Sequence, residues 1–157
     1  SRGLGDVYKR QGFTVSKAVT KSELNDAAFL LIEYFQYMAG GEKKDINLSD
    51  WRRLSNTILD AQNGALALLV ARDGTAAVGV SGVALNGEIL HTFVREGFRG
   101  KGIGRVLGEA AVREGGWFFS VLKNNASMLA AIHGARLVSE QPQTYIYPID
   151  RRESPRL

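Results

Sequence analysis

The stretch Val94-Arg95-Glu96-Gly97-Phe98-Arg99-Gly100-Lys101-Gly102-Ile103-Gly104 decides how this chain is read. It joins a strand-like run, Glu88 to Arg95, to a run with helical spacing, Ile103 to Glu114. Glycine at 100, 102 and 104 lets the backbone turn tightly and point its N–H groups inward. A helix that begins here adds the positive end of its dipole. With Arg99, Lys101 and Arg105 close by, the loop is a candidate anion site, and a pyrophosphate is its natural guest. It is not a Walker loop, because Lys101 is followed by Gly102 rather than Ser or Thr. It is not a dinucleotide fingerprint either. Counted from Gly100 or Gly102, the third glycine position holds Arg105 or Leu107. A glycine-rich turn without a ligand is the plainer alternative.

Upstream, three apolar runs are separated by two hairpin signals. Ala65 to Arg72, Thr75 to Leu85 and Glu88 to Arg95 flank Asp73-Gly74 and Asn86-Gly87, which predicts three adjacent antiparallel strands. Before them, Phe13 to Thr20 alternates as an edge strand does. Thr20-Lys21-Ser22-Glu23 has the spacing of a capping box. The helix it opens places Leu24, Ala28, Leu31, Phe35 and Met38 on one face, and Gly40-Gly41 closes it. Ser49 is placed to cap a second helix with Trp51, Leu54, Ile58 and Ala61 on its apolar face. Downstream, Trp117 to Leu122 reads as a buried strand and Asn124 to Ile132 as a short capped helix. Arg136 to Ser139 and Thr144 to Ile149 read as the last strands. The expectation is one α+β domain over 12–150, with a mixed, mostly antiparallel sheet flanked by helices and a polar tail over 151–157.

Composition narrows the function. The 157 residues include no Cys, three Pro, eighteen Gly and two His, at 91 and 133. Disulfides, thiolate metal sites and Cys nucleophiles are therefore excluded, and no metal site is expected. No run stays apolar for the ~18 residues of a membrane span. The formal charge is +4. Residues 1–11 read SRGLGDVYKRQ, and Asp6 to Gln11 matches the translation of a sequencing-adapter transposon end, so this segment is expected to be a non-native artefact of a metagenomic reading frame. It holds three basic residues and one acidic, leaving 17 basic against 15 acidic in the rest. A charge near +2, with no basic stripe interleaved with aromatics, argues against a nucleic-acid binder. No targeting signal is present, so cytoplasmic is the default expectation.

The pattern (Gln/Arg)-x-x-Gly-x-(Gly/Ala) is met by Arg99, Gly102 and Gly104 between a strand and a helix. It resembles motif A of the GNAT N-acetyltransferase superfamily. Asn124-Asn125-Ala126-Ser127 resembles the family's later coenzyme-contacting motif, and the element order from Phe13 to Ile149 matches the family layout. Three departures stand out. Glu96 replaces a frequent Pro, Ala135-Arg136 replaces a frequent Gly-Phe, and Ala131 stands about where many members carry a Tyr.

The resemblance implies an acetyl-CoA-dependent N-acetyltransferase, with acetyl-CoA as cosubstrate and a small-molecule, peptide or protein amine as acceptor. It admits a homodimer. Arg99, Gly100, Lys101, Gly102, Ile103, Gly104 and Arg105 would hold the pyrophosphate. Phe93 and Val94 would offer main-chain contacts to the pantetheine, with Asn124 and Ser127 on the coenzyme's other flank. A backbone N–H near Val94 would stabilise the oxyanion. Glu88 and His91 are the candidate bases that take the amine proton. By strand alternation His91 shares a face with Phe93, opposite Leu90, Thr92 and Val94. An ordinary strand histidine and a hairpin glutamate remain alternative readings. Tyr145 and Tyr147 are alternative proton donors to the leaving thiolate, or packing residues. Trp51, Trp117, Phe118 and Phe119 read as core. In this fold the acceptor side comprises about 38–50 and 141–147. The mixed charge of Glu42, Lys43, Lys44 and Asp45 there favours neither a cationic nor an anionic acceptor. Without the usual helix Tyr, a non-catalytic acyl-CoA sensor of the same fold is the alternative function.

Overall fold

The computed structural model describes residues 7–10, 12–41, 45–122, 139–140 and 144–148. Among them the elements run β1 (Val7–Arg10), β2 (Phe13–Lys17), α1 (Lys21–Met38), α2 (Leu48–Gln62), β3 (Leu66–Asp73), β4 (Ala76–Ala84), β5 (Glu88–Val94), α3 (Ile103–Arg113), β6 (Phe118–Leu122), β7 (Ser139–Glu140) and β8 (Thr144–Pro148). The strands form one sheet in the order β1-β2-β3-β4-β5-β6-β8-β7. Every pairing is antiparallel except β5 with β6. This is the expected mixed α+β architecture. No helix of the described residues is long and apolar enough to cross a membrane.

Helices cover both faces of the sheet, and each face has its own core. On one, Leu24, Leu31 and Phe35 of α1 meet Leu68, Val70, Val80 and Phe93. On the other, Ile103, Val106 and Leu107 of α3 meet Ala71, Val78, Val83, Ile89 and Phe119. The central strands β3 and β4 are buried over most of their length, as strands packed on both faces must be.

Local chemistry sets the helix ends. Thr20 accepts from the Glu23 N–H at 3.2 Å, and Glu23 returns the contact by accepting from the Thr20 N–H at 2.8 Å. The capping box is therefore complete. For α2 the cap is Asn47, which accepts from the Asp50 N–H at 2.8 Å, rather than Ser49. Asp50 stands in the first turn, beside the positive end of the dipole.

Several packing expectations are corrected. Trp51 is exposed, and the buried α2 residues are Leu54 and Thr57. Met38 is exposed and Ala28 only half-buried; Ala27 and Leu30 fill the α1 face instead. Trp117 is also exposed, with its indole lying over Gly87, where a side chain would collide with it. Its Nε1 donates to the Asn86 carbonyl at 3.0 Å. Finally, β2 is not an edge strand. Val7–Arg10, from the segment expected to be a non-native artefact, pair along it from Val7–Ser16 to Arg10–Phe13.

Candidate active site

Strands β5 and β6 run parallel and pair only at Glu88–Phe118 and Ile89–Phe119. No further pairs join them among the described residues, so the sheet opens as a V with its apex at Glu88. Along the other side of β5, the Arg95 N–H donates to the Val78 carbonyl at 2.9 Å, and Val94 sits opposite Gly79. Antiparallel alternation then turns the Val94 N–H and C=O away from β4, into the V. The same alternation turns the main-chain groups of Phe93 toward β4. Phe93 was expected to lend main-chain contacts, but what it offers the site is its ring.

The loop beyond Val94 is built as its glycines predict. Gly97, Gly100 and Gly102 adopt φ of 88°, 79° and 88°, a region that an L side chain enters only at a cost. Gly102 is the N-cap of α3 and supplies no side-chain cap. The first-turn N–H groups of the helix, from Ile103, Gly104 and Arg105, therefore have no side-chain acceptor and point toward the loop. Ile103 is 1% exposed and anchors this turn in the α3 core. A Cβ added at Gly100 would meet nothing within 4 Å, so the space in front of the loop is open. Uncapped donors, a helix N-terminus and open space suit a phosphate-bearing ligand.

The loop cations divide. Arg99 folds back over β5: its Nε donates to the Val94 carbonyl at 2.7 Å, and its guanidinium lies 4.8 Å from the Tyr37 ring centre and 5.4 Å from that of Phe93. Lys101 lies 5.4 Å over the Phe98 ring. Arg105 runs along its helix to Glu109 at 3.5 Å. Arg95 turns toward α1, where its Nε meets Glu33 at 3.0 Å.

Glu88 sits at the apex of the V. Its carboxylate accepts from the Ser120 hydroxyl at 2.9 Å, a contact that bridges the two strands where they separate. His91 lies in a bulge. Val80 opposes Phe93 and Gly82 opposes Leu90, so His91 and Thr92 together face Ser81. The Ser81 and Thr92 hydroxyls meet at 2.9 Å, and His91 takes φ of 57°, in the left-handed region. The extra residue corrects the alternation expected from sequence. His91 shares the α1 face with Phe93, as read, but Leu90 lies on that face too. Burial among Tyr34 and Phe35, with the Arg53 guanidinium nearby, pushes the His91 imidazole down to about 4. Burial holds the Tyr34 phenol above its ordinary value. Sequence reading did not single out Tyr34, Tyr37, Arg53 or Ser120. Tyr34 and Tyr37 looked like ordinary helix positions, and only the packing of α1 on β5 brings them to the site. Asn124 and Ser127 lie outside the described residues, as do Ala131 and Ala135-Arg136.

No family model matches the chain, and no curated protein matches it in sequence. Solved structures do match it in fold. The PaiA N-acetyltransferase of Thermoplasma acidophilum, in complex with coenzyme A, superposes with a TM-score of 0.66 at 14% identity, over 87% of this chain and 98% of that one. A GNAT-family acetyltransferase of Staphylococcus aureus gives 0.61 at 14% identity, over 88% and 99%. YncA of Salmonella typhimurium, with its cofactor acetyl-CoA, gives 0.57 at 16% identity, over 89% and 95%. The chain shares the fold of GNAT acetyltransferases.

Proposed function

We propose that this protein is an acetyl-CoA-dependent N-acetyltransferase that passes an acetyl group directly to a primary amine. One observation carries the reading. The β5–β6 pair parts after two residues, and the open end of that V faces the uncapped, glycine-lined start of α3. A ligand with a phosphate head and a long thin arm suits such a site. Structural neighbours of the same fold hold coenzyme A or acetyl-CoA.

The residues divide the work as follows. The N–H groups from Gly100 to Arg105 hold the pyrophosphate, with Lys101 and Arg105 adding positive charge. The Val94 N–H, directed into the V, stabilises the oxyanion of the tetrahedral intermediate, a task worth ~3–4 kcal/mol per donor in other enzymes. Glu88, held by Ser120 at the apex, lies six residues from Val94, roughly 20 Å along the strand, so it takes the proton from the attacking amine through a relay of waters. His91 is a weak base at neutral pH. An imidazole held near 4 binds a proton weakly, and an effective base has a pKa near the working pH.

The test has two steps. Acetyl-CoA should raise the melting temperature, and a panel of primary amines should then release free CoA thiol. Stabilisation without thiol release across a broad panel would favour the non-catalytic sensor. No stabilisation would remove both readings.

A further inference from the structure

On the α1 side of β5, three residues that carry hydrogen-bond donors cluster around Phe35. The rings of Tyr34 and His91 lie 5.7 Å apart, and those of Phe35 and His91 5.8 Å apart. The Arg53 guanidinium from α2 sits 5.1 Å from the Phe35 ring centre and acts electrostatically on both Tyr34 and His91. Neither the Tyr34 hydroxyl nor the His91 imidazole has a hydrogen-bond partner among the described residues. Each residue keeps part of its surface in solvent. Asp50 is the only carboxylate paired with Arg53 among the described residues, at a loose 3.7 Å.

The chemistry of this cluster is one-sided. A neutral imidazole offers one N–H, a protonated phenol one O–H and a guanidinium several. Aromatic faces that would attract a second cation are already covered by the protein's own, Phe35 by Arg53, and Tyr37 and Phe93 by Arg99. The bulge that turns His91 toward Tyr34 holds a non-glycine residue in the left-handed region, a strained conformation that clusters at ligand clamps. Donors and positive charge without a close acceptor select a ligand group that accepts hydrogen bonds and is negative.

We propose that Arg53, Tyr34 and His91 bind a carboxylate on the acceptor, so that the enzyme prefers primary amines carrying a carboxylate over simple amines and polyamines. The assignment rests on the acetyl-transfer reading for its location and identifies the acceptor class of that site. Arg53 supplies the charge-assisted contact, and Tyr34 and His91 fix the carboxylate's orientation.

Two measurements test it. The first compares kcat/KM for matched pairs: alanine against ethylamine, phenylalanine against phenethylamine. An N-terminal aspartyl peptide with an amidated C-terminus is a further arm. The carboxylate partner should win by about tenfold or more, chiefly through KM, and Arg53→Gln should bring the ratio toward one. Preference for the free amino acids would identify an α-carboxylate; preference for the aspartyl peptide, a side-chain carboxylate. Equal rates across each pair, or a preference that survives Arg53→Gln, would overturn the proposal.

The second measurement needs no turnover. With CoA present, alanine should move the His91 ring-nitrogen NMR resonances, and ethylamine should not. If no amine is acetylated but this difference persists, the acetyl-transfer reading fails and the carboxylate site stands. If alanine leaves His91 unmoved, the carboxylate site fails whatever the enzyme's activity.

Discussion

The Nε of Arg99 donates to the Val94 carbonyl at 2.7 Å, tying the first cation of the glycine loop to the last residue of β5. The same guanidinium lies against Tyr37 and Phe93. One side chain thereby links the loop, the strand and α1, holding the loop against the mouth of the V. Arg99 thereby fixes the loop as well as adding charge to it.

Arg99→Ala should raise the KM for acetyl-CoA by about tenfold to a hundredfold, the range for losing a charge-assisted hydrogen bond at a binding site. Exposed cation–π contacts contribute only about 0.5–1 kcal/mol, so the melting temperature should fall by a few degrees. Titration with acetyl-CoA and a melting curve separate the two effects. Unchanged KM would remove Arg99 from the coenzyme site.

Gly102 caps α3 at φ of 88°. Gly102→Ala should cost about 1–2 kcal/mol in stability from the left-handed backbone alone. Gly102→Glu adds a carboxylate where an anion is to bind. It should abolish the acetyl-CoA-induced rise in melting temperature while circular dichroism still reports a folded sheet. Gly104→Glu tests the same point with little backbone strain, because Gly104 is not in the left-handed region. A folded Gly104→Glu protein that still binds acetyl-CoA tightly would contradict the loop assignment.

Glu88 and Ser120 meet at the apex of the V. Glu88→Gln keeps the shape and removes the proposed base, so kcat should fall by about 10², the low end for general-base catalysis, as a water relay implies. Ser120→Ala removes only the group that orients Glu88, and its loss should be smaller and confined to kcat. Single-turnover kinetics with a saturating amine measures both. Full activity in Glu88→Gln would move the base elsewhere.

The parts of the site legible in sequence are those set by local chemistry. Three glycines and a following helix predict the loop, Thr20 and Glu23 predict the cap, and Asp73-Gly74 and Asn86-Gly87 predict the hairpins. What escaped is set by contacts between elements. The His91 bulge is a mismatch between β4 and β5, and strict alternation along β5 cannot register an extra residue. Hydrophobicity alone assigns Trp51 and Trp117 to the core. Their exposure depends on which side of a helix or turn the neighbouring element covers. Tyr34 and Arg53 lie on different helices and become one group only when α2 packs on α1 and α1 on β5.

His91 carries a pH signature that separates its structural role from any catalytic one. Its folded-state pKa is about 4, against an ordinary value of 6.5, because burial disfavours the imidazolium. Between those values the unfolded chain binds the proton more readily than the folded one. The stabilising contribution is therefore complete above about pH 6.5 and is lost as pH falls toward 4. The shift corresponds to roughly 3 kcal/mol in all. His91→Gln cannot take up that proton, so its stability should change less across this window than that of the parent protein. Urea unfolding at several pH values from 4 to 7 measures the difference. Parallel profiles for the two proteins would mean that His91 is not the buried neutral group described, and its place beside Tyr34 and Arg53 would have to be redrawn.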